Sequence, residues 1–326
     1  MNAIQKALSV AGTGSLESYL PLPLAQEVIA YVRELNMMRR HLKSFVQRSR
    51  TWTKPRKDGA LSAYHVPDGT TATLSSYSTS QVQWIAKKLM GFTMVDEEAV
   101  EDSQPDVINQ VLQDFAEAIA EAEEMAMIDG DPTHTATAPT PAAATAGNWY
   151  VFDPRLIFEG IFPVSITADA STPVAAGGAS LDLDMVNEAI YNLGKYGRNR
   201  NKIIGFLPSV QAAKVRENSA VFKDASISGL ALSSAITGLG AAGELDGLVA
   251  VIYGVRFYET PQAAATDQIV LLDKNAPAIG DRRMIKFKST EVIEADQRKY
   301  VVSERISFNY NYRKALVAID NLNDTL

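Results

Sequence analysis

The chain has 326 residues, 46% of them hydrophobic, and a formal net charge of −7, enough apolar material for a sizeable core in one large or two modest domains. It contains no cysteine, which excludes disulfides, thiol nucleophiles and thiolate metal sites together, and its acidic balance argues against a dedicated nucleic-acid binder, which needs a basic face. No apolar run reaches the roughly 18 residues that cross a bilayer, and Met1 to Gly12 lacks the regions of a signal peptide, so a soluble protein made in a cytoplasm is expected.

After a polar start, Pro21 and Pro23 precede a run in which Leu24, Val28, Tyr31, Val32, Leu35 and Met38 recur at helical steps. Arg39, Arg40 and His41 close that helix, cations where its dipole favours them; an ordinary docked amphipathic helix is expected rather than a lipid-binding one. From Ser44 to about Val95 strand-like alternation flanks a long polar middle, Lys54 to Gln81. A two-stranded excursion with no apolar face is marginal in water, so it is either mobile or lies on another chain.

Ser103 opens the strongest helix, with Asp106 as capping-box partner, Pro105 in the first turn, and Ile108, Val111, Leu112, Phe115, Ile119 and Ala122 as the apolar stripe. Gly130 and Pro132 stop it. Asp114, Glu117, Glu121 and Glu124 run opposite the stripe, a like-charge ladder that costs about 0.2–0.5 kcal/mol per pair. With no His or Lys beside it, a solvated or partner-facing stripe is expected rather than a metal or acid-base site.

Asp131 to Ser180 is a low-complexity excursion around one apolar island, Trp149 to Phe162. Leu183, Val186, Ile190 and Leu193 then mark a helix opened by Asp182 and closed by Gly194 or Gly197. A buried strand from Lys202 to Leu207 is followed by a helix from Pro208 and Ser209 to about Glu217, and then by a small, Gly-rich segment over 223–247. Strands are expected at Leu248–Ile252, Val255–Glu259 and Ile269–Leu272, with a hairpin of Met284–Ile293 and Tyr300–Tyr312 around the polar tip Ala295–Lys299. Ile306, Phe308, Tyr310 and Tyr312 share one face of it, and Ala315–Ile319 closes the chain.

Two charge blocks stand out. Arg33 to Asp58 carries Arg33, Arg39, Arg40, Lys43, Arg48, Arg50, Lys54, Arg56 and Lys57 against Glu34 and Asp58, whereas Asp96 to Asp131 is rich in Asp and Glu with no Lys or Arg. The expectation is that the blocks pair, largely between subunits, through Arg39, Arg40, Lys43, Arg48 and Arg50 on one side and Asp114, Glu117, Glu121 and Glu124 on the other. The other readings are that the strand after Lys43 lies beside its own long helix, or that the arginines face packaged DNA.

Signs of chemistry are weak. Gly238, Gly240 and Gly243 spell GxGxxG with Glu259 about twenty residues on, but a dinucleotide fingerprint needs a helix directly after it, and here Asp246 and Gly247 lead into a strand. His41, His65 and His134 have neither a triad arrangement nor a second histidine at ligand spacing, so each is expected to be a surface or capping residue. No catalytic residue, cofactor or metal site is expected.

The order of parts resembles the major capsid proteins of tailed double-stranded DNA phages, the Hong Kong 97-type fold, an α+β fold, over nearly the whole chain. Residues 1–43 are similar to its N-terminal arm, 44–95 to its extended loop and base strands, 96–201 to its peripheral domain with the spine helix, 202–281 to its axial domain, and 282–326 to its return strands. The segments that carry the likeness are the helix Pro105 to Asp129 with Gly130-Asp131-Pro132, Ile203 to Ser209 (IIGFLPS), Gly254 to Pro261, Ile269 to Leu272 and Ile279-Gly280-Asp281-Arg282.

The resemblance implies a non-enzymatic coat subunit of an icosahedral virion shell, contacting copies of itself in hexamers and pentamers, a portal, and packaged double-stranded DNA without sequence specificity, with no membrane. Because only about forty residues precede the extended loop, a separate scaffolding protein, or none, is expected. Covalent cross-linking of the kind some relatives use is not expected, since Lys54 and Lys57 lie near the loop base and Ala60 to Ser80 has no Lys. The close alternative is an encapsulin-like compartment shell, and the distant one a nucleotide-dependent enzyme using Gly238 to Gly243.

Overall fold

A computed structural model describes residues 36–57, 63, 65–71, 77–98, 107–138, 149–217, 247–294 and 296–325. The expected helix over 24–38 lies outside them except for its end, as do the Ser103–Asp106 cap and the glycines at 238, 240 and 243.

The chain enters through a short helix, α1 (Met37–His41), capped by Asn36, whose side chain accepts from the Arg39 backbone N–H. Strand β1 (Lys43–Val46) follows, then a ribbon of β2 (Thr51–Lys57) and β3 (Thr79–Ile85), and then β4 (Lys87–Asp96). The base of the ribbon is anchored rather than free: Trp52 lies opposite Trp84, their rings are 5.1 Å apart with Phe45 at 4.7 and 5.9 Å from them, and Trp84 is fully buried, donating Nε1–H to the Ala278 carbonyl at 3.3 Å. A fully buried aromatic of the size of Trp84 contributes about 3–5 kcal/mol, so the base is fixed by the subunit itself.

The long helix α2 (Val107–Ile128) buries Leu112, Phe115, Ala116, Ile119 and Ala120 against Ile285, Tyr300 and Val302. These last belong to β10 (Pro277–Val292) and β11 (Gln297–Tyr310), which with β1 and β4 form a four-stranded sheet in the order β1-β10-β11-β4. Strand β10 starts earlier and β11 ends earlier than the expected hairpin, so Ile306, Phe308 and Tyr310 are buried while Tyr312 lies beyond the strand and is exposed. At the C-terminus of α2 two backbones touch: Gly160 N–H donates to the Gly130 carbonyl at 2.6 Å, and a Cβ on Gly130 would stand 2.3 Å from the Ala126 and Phe158 carbonyl oxygens. Only glycine fits there.

Helix α3 (Ile161–Ser165) and strand β5 (Val174–Ala175) come from the expected excursion, whose island supplies buried Phe158, Ile161 and Phe162. Helix α4 (Leu183–Asn192), capped by Asp182, and β6 (Ile203–Pro208) lead to α5 (Ser209–Glu217). Strands β7 (Leu248–Ile252), β8 (Val255–Thr260), β9 (Ile269–Asp273) and β12 (Leu316–Asp320) complete a mixed six-stranded sheet ordered β5-β12-β9-β6-β8-β7. Every residue of β6 is buried: Ile204 and Phe206 face the core shared with the end of α2, and Ile203 and Leu207 face the core under α4 and α5. A strand covered on both faces reads as a continuous apolar run. β12 joins this sheet by pairing antiparallel with β9 and parallel with β5.

Candidate assembly surfaces

One expected contact residue is committed inside its own chain. Arg39 leaves α1 between α2 and the long sheet, donating to Glu123 through both Nε and Nη2 and to Asp281 Oδ1 through Nη1 at 2.9 Å, with Glu304 3.9 Å away. Asn36 Nδ2 donates to the same Glu123 at 2.9 Å. Burial works against a charge here, but the hydrogen bond and the charge of Glu123, with Asp281 and Glu304 behind, hold the guanidinium above its ordinary range. One cation facing three carboxylates leaves an excess of negative charge. Burial, and then the charge of Glu123, push Glu304 well above the usual carboxylate range.

Arg39, expected to serve a neighbouring subunit, has Glu123 of its own chain as its partner. Glu124, expected on the partner-facing stripe, is turned inward. It is buried, 3.4 Å from Thr260 Oγ1, and burial raises it to about 7 against hydrogen bonds from Thr260 and the Met37 backbone. Asp129, which accepts from the Ala264 backbone N–H, is raised to about 6 by burial. Asp114, Glu117 and Glu121 do lie exposed on α2, and Arg40, Lys43, Arg48 and Arg50 are exposed around β1 and the turn into β2.

Glu123, Asp281 and Glu304 went unread in the sequence. Glu123 had a signal, since it sits four residues after Ile119 and so on the apolar stripe; a carboxylate there must be paired or neutral. Asp281 and Glu304 had none, because only the sheet brings them to Arg39. Beside them, Gly280 is packed so that a Cβ would meet Ser307 Oγ at 2.4 Å, and that hydroxyl donates to Gln47 at 2.6 Å, which ties β1 to β11. The Ile279-Gly280-Asp281-Arg282 segment thus joins β1, the arm's end and the sheet at one point.

Two of the three histidines are not simple surface residues. His41 stacks on Tyr258 with ring centroids 3.9 Å apart, and burial, then Lys274, Arg40 and Arg256, lower it to about 4. His134 lies 4.2 Å from the Trp149 ring; His65 is exposed. Among the described residues no group of three or more His, Asp or Glu could hold a metal ion, and no helix is long and apolar enough to cross a membrane.

The remaining surface is open in a patterned way. On edge strand β4, Met90, Phe92 and Met94 project from the sheet face opposite α2, with Lys299 4.8 Å above the Phe92 ring. A cleft of about 530 Å³ lies where β1 meets the ribbon, floored by Phe45, Val46, Trp52 and Trp84 and rimmed by Lys43, Arg48 and Lys54. Exposed apolar rows on an edge strand invite a covering partner.

A long helix on a four-stranded sheet, a two-stranded ribbon thrown out from its base, and a six-stranded sheet with helices define the α+β Hong Kong 97-type capsid fold. The same fold is found in a structure from Microbacterium phage Oxtober96, at 15% identity with a TM-score of 0.59, covering 97% of this chain and 98% of that one. The capsid of a native GTA particle matches at 16% identity and 0.59, covering 98% of each chain, and a virus-like particle from Pyrococcus furiosus at 11% and 0.54, covering 91% and 98%. No curated protein matches in sequence. The model of the phage capsid family matches residues 19–321, and the chain belongs to that family.

Proposed function

We propose that this chain is the major capsid protein of a tailed phage, assembling as hexamers and pentamers into an icosahedral shell around double-stranded DNA, and that it is not an enzyme. The observation that carries the reading is the family match over 19–321. The exposed apolar row Met90, Phe92 and Met94, on a sheet whose other face is already filled by α2, supports it, because such a face is covered when copies assemble. A portal, with a separate scaffolding protein or none, would complete the particle. The exposed cations Arg40, Lys43, Arg48 and Arg50 and acids Asp114, Glu117 and Glu121 are the intersubunit contacts of this reading; exposed pairs contribute only about 0–1 kcal/mol each, but a closed shell repeats them at every interface.

An encapsulin-like compartment has less behind it, since the matching family is that of phage capsids. The test is to express the chain alone and with the rest of a phage structural cassette, image the product by negative stain, and read ultraviolet absorbance for packaged DNA. Closed shells that fill with DNA in the second case are expected; a monodisperse monomer at every concentration would overturn the reading.

A further inference from the structure

The long sheet ends in two unlike surfaces. At one end the β10–β11 hairpin turns through Ile293, which is 86% exposed, and Asp296, whose φ is +50°. Around that apolar tip stand exposed Glu291, Glu294, Asp96 and Glu98, with one cation, Arg298, opposite Glu291 and paired with Glu97. At the other end is the cleft between β1 and the ribbon, with Val46 76% exposed above Trp52, and Lys43 and Arg48 on its rim. Its lining contains no acidic residue. Strand β10 connects the two: Ala278 lines the cleft and Val292 adjoins the tip.

We infer that the acid-ringed tip at Ile293 of one copy seats in the cation-rimmed cleft at Val46 of a second copy. The inference rests on the coat reading and names the surfaces through which copies join. Within one chain the two cannot meet, because fourteen steps of extended strand separate Ala278 from Val292, about 45 Å at 3.3 Å per residue. The two ends are complementary: an exposed apolar side chain with Glu291, Glu294, Asp96 and Glu98 beside it at one, an apolar floor with ammonium and guanidinium groups on its rim at the other. A contact between two different patches on identical copies is heterologous, and such contacts generate closed rings when the rotation allows. Lys43 and Arg48 thereby acquire Glu291 and Glu294 of a neighbour as partners in place of the α2 ladder.

The chain's lack of cysteine makes a clean test. Assembled particles of the variant carrying both Ile293→Cys and Val46→Cys are oxidised and run on a denaturing gel beside each single variant. A disulfide needs Cα atoms within about 7 Å, so a ladder of covalent oligomers from the double variant alone is expected. Particles of the double variant that stay monomeric on the gel would overturn the inference, and so would dimers from Ile293→Cys alone, which would mean that tips meet tips. A second arm uses charge: Lys43→Glu with Arg48→Glu should abolish sedimenting particles while circular dichroism of the subunit is unchanged, and adding Glu291→Lys with Glu294→Lys should restore them. If the first pair leaves empty shells intact and lowers only their DNA content, the cleft faces DNA and the inference is wrong. If the unaltered chain itself forms no particles, the coat reading falls and takes this inference with it; particles of the parent without the expected cross-link reject the inference alone.

Discussion

Arg39 and Arg48 stand nine residues apart in the same basic block, and the fold uses them in opposite ways. Arg39 is drawn under the long sheet and closed off by Glu123, Asp281 and Glu304 of its own chain, whereas Arg48 lines an open cleft with no acidic residue in it. The difference is one of burial. A guanidinium taken out of water must find its carboxylates within the subunit or the subunit does not fold, so the joint around Arg39 is fixed before assembly. A guanidinium left in water costs nothing to leave unpaired, so the cleft can wait for a partner.

The sharpest way to break that contrast is to remove Arg39. Arg39→Met strands Glu123 as a buried carboxylate beside half-buried Asp281, and the loss of one partner from a buried pair costs about 3–5 kcal/mol; urea unfolding of the unassembled subunit should show it. Arg48→Met should change subunit stability by no more than about 0.5 kcal/mol and weaken assembly instead. Equal effects of the two on unfolding would erase the distinction.

The next effect depends on pH. Glu124 is raised to about 7 from an unfolded value near 4.5, so the fold binds its proton more tightly than the unfolded chain does, and the stability it contributes is lost as pH rises between those values. Glu124→Gln should therefore match the parent below pH about 4.5 and exceed it by on the order of 2 kcal/mol above pH 7. His41 runs the other way. Lowered to about 4, it is neutral in the fold, and its contribution is lost as pH falls from about 6.5 to 4. His41→Phe, which keeps the contact with Tyr258, should flatten the acid side of the stability profile. A His41→Phe profile that still falls over that window would place the acid sensitivity elsewhere.

The smallest effect expected is covalent. Boiled particles should run as a single 35.4 kDa band, because Ala60 to Ser80 has no Lys to form an isopeptide bond; a ladder from the unaltered chain would contradict this.

Much of the fold was legible in the sequence, for reasons that particular elements make plain. Helix α4 announced itself through Asp182 and a clean apolar period, and β6 through an unbroken apolar run bounded by Pro208. Those signals are local. The joint around Arg39 was not legible, because Asp281 and Glu304 lie 242 and 265 positions away and only the pairing of β1, β10 and β11 brings them together. Ladder spacing along α2 separated Glu117 and Glu121, which are exposed, from the core correctly, but it put Glu124 with them and passed over Glu123. Near its C-terminus that helix is enclosed by α1 and the six-stranded sheet, so two faces are buried where one was expected.

Hydrogen exchange, measured on the unassembled subunit and on assembled particles, tests the contrast between closed joint and open ends most directly. Amides of α1, α2, the β1–β10 pairing and the Trp52–Trp84 base of the ribbon should be equally protected in both states, while those of β2 and β3 beyond that base and of the turn from Glu291 to Gln297 should gain protection only on assembly. Unchanged protection of the ribbon and the turn, or an Arg39 joint that becomes protected only in the particle, would contradict the account.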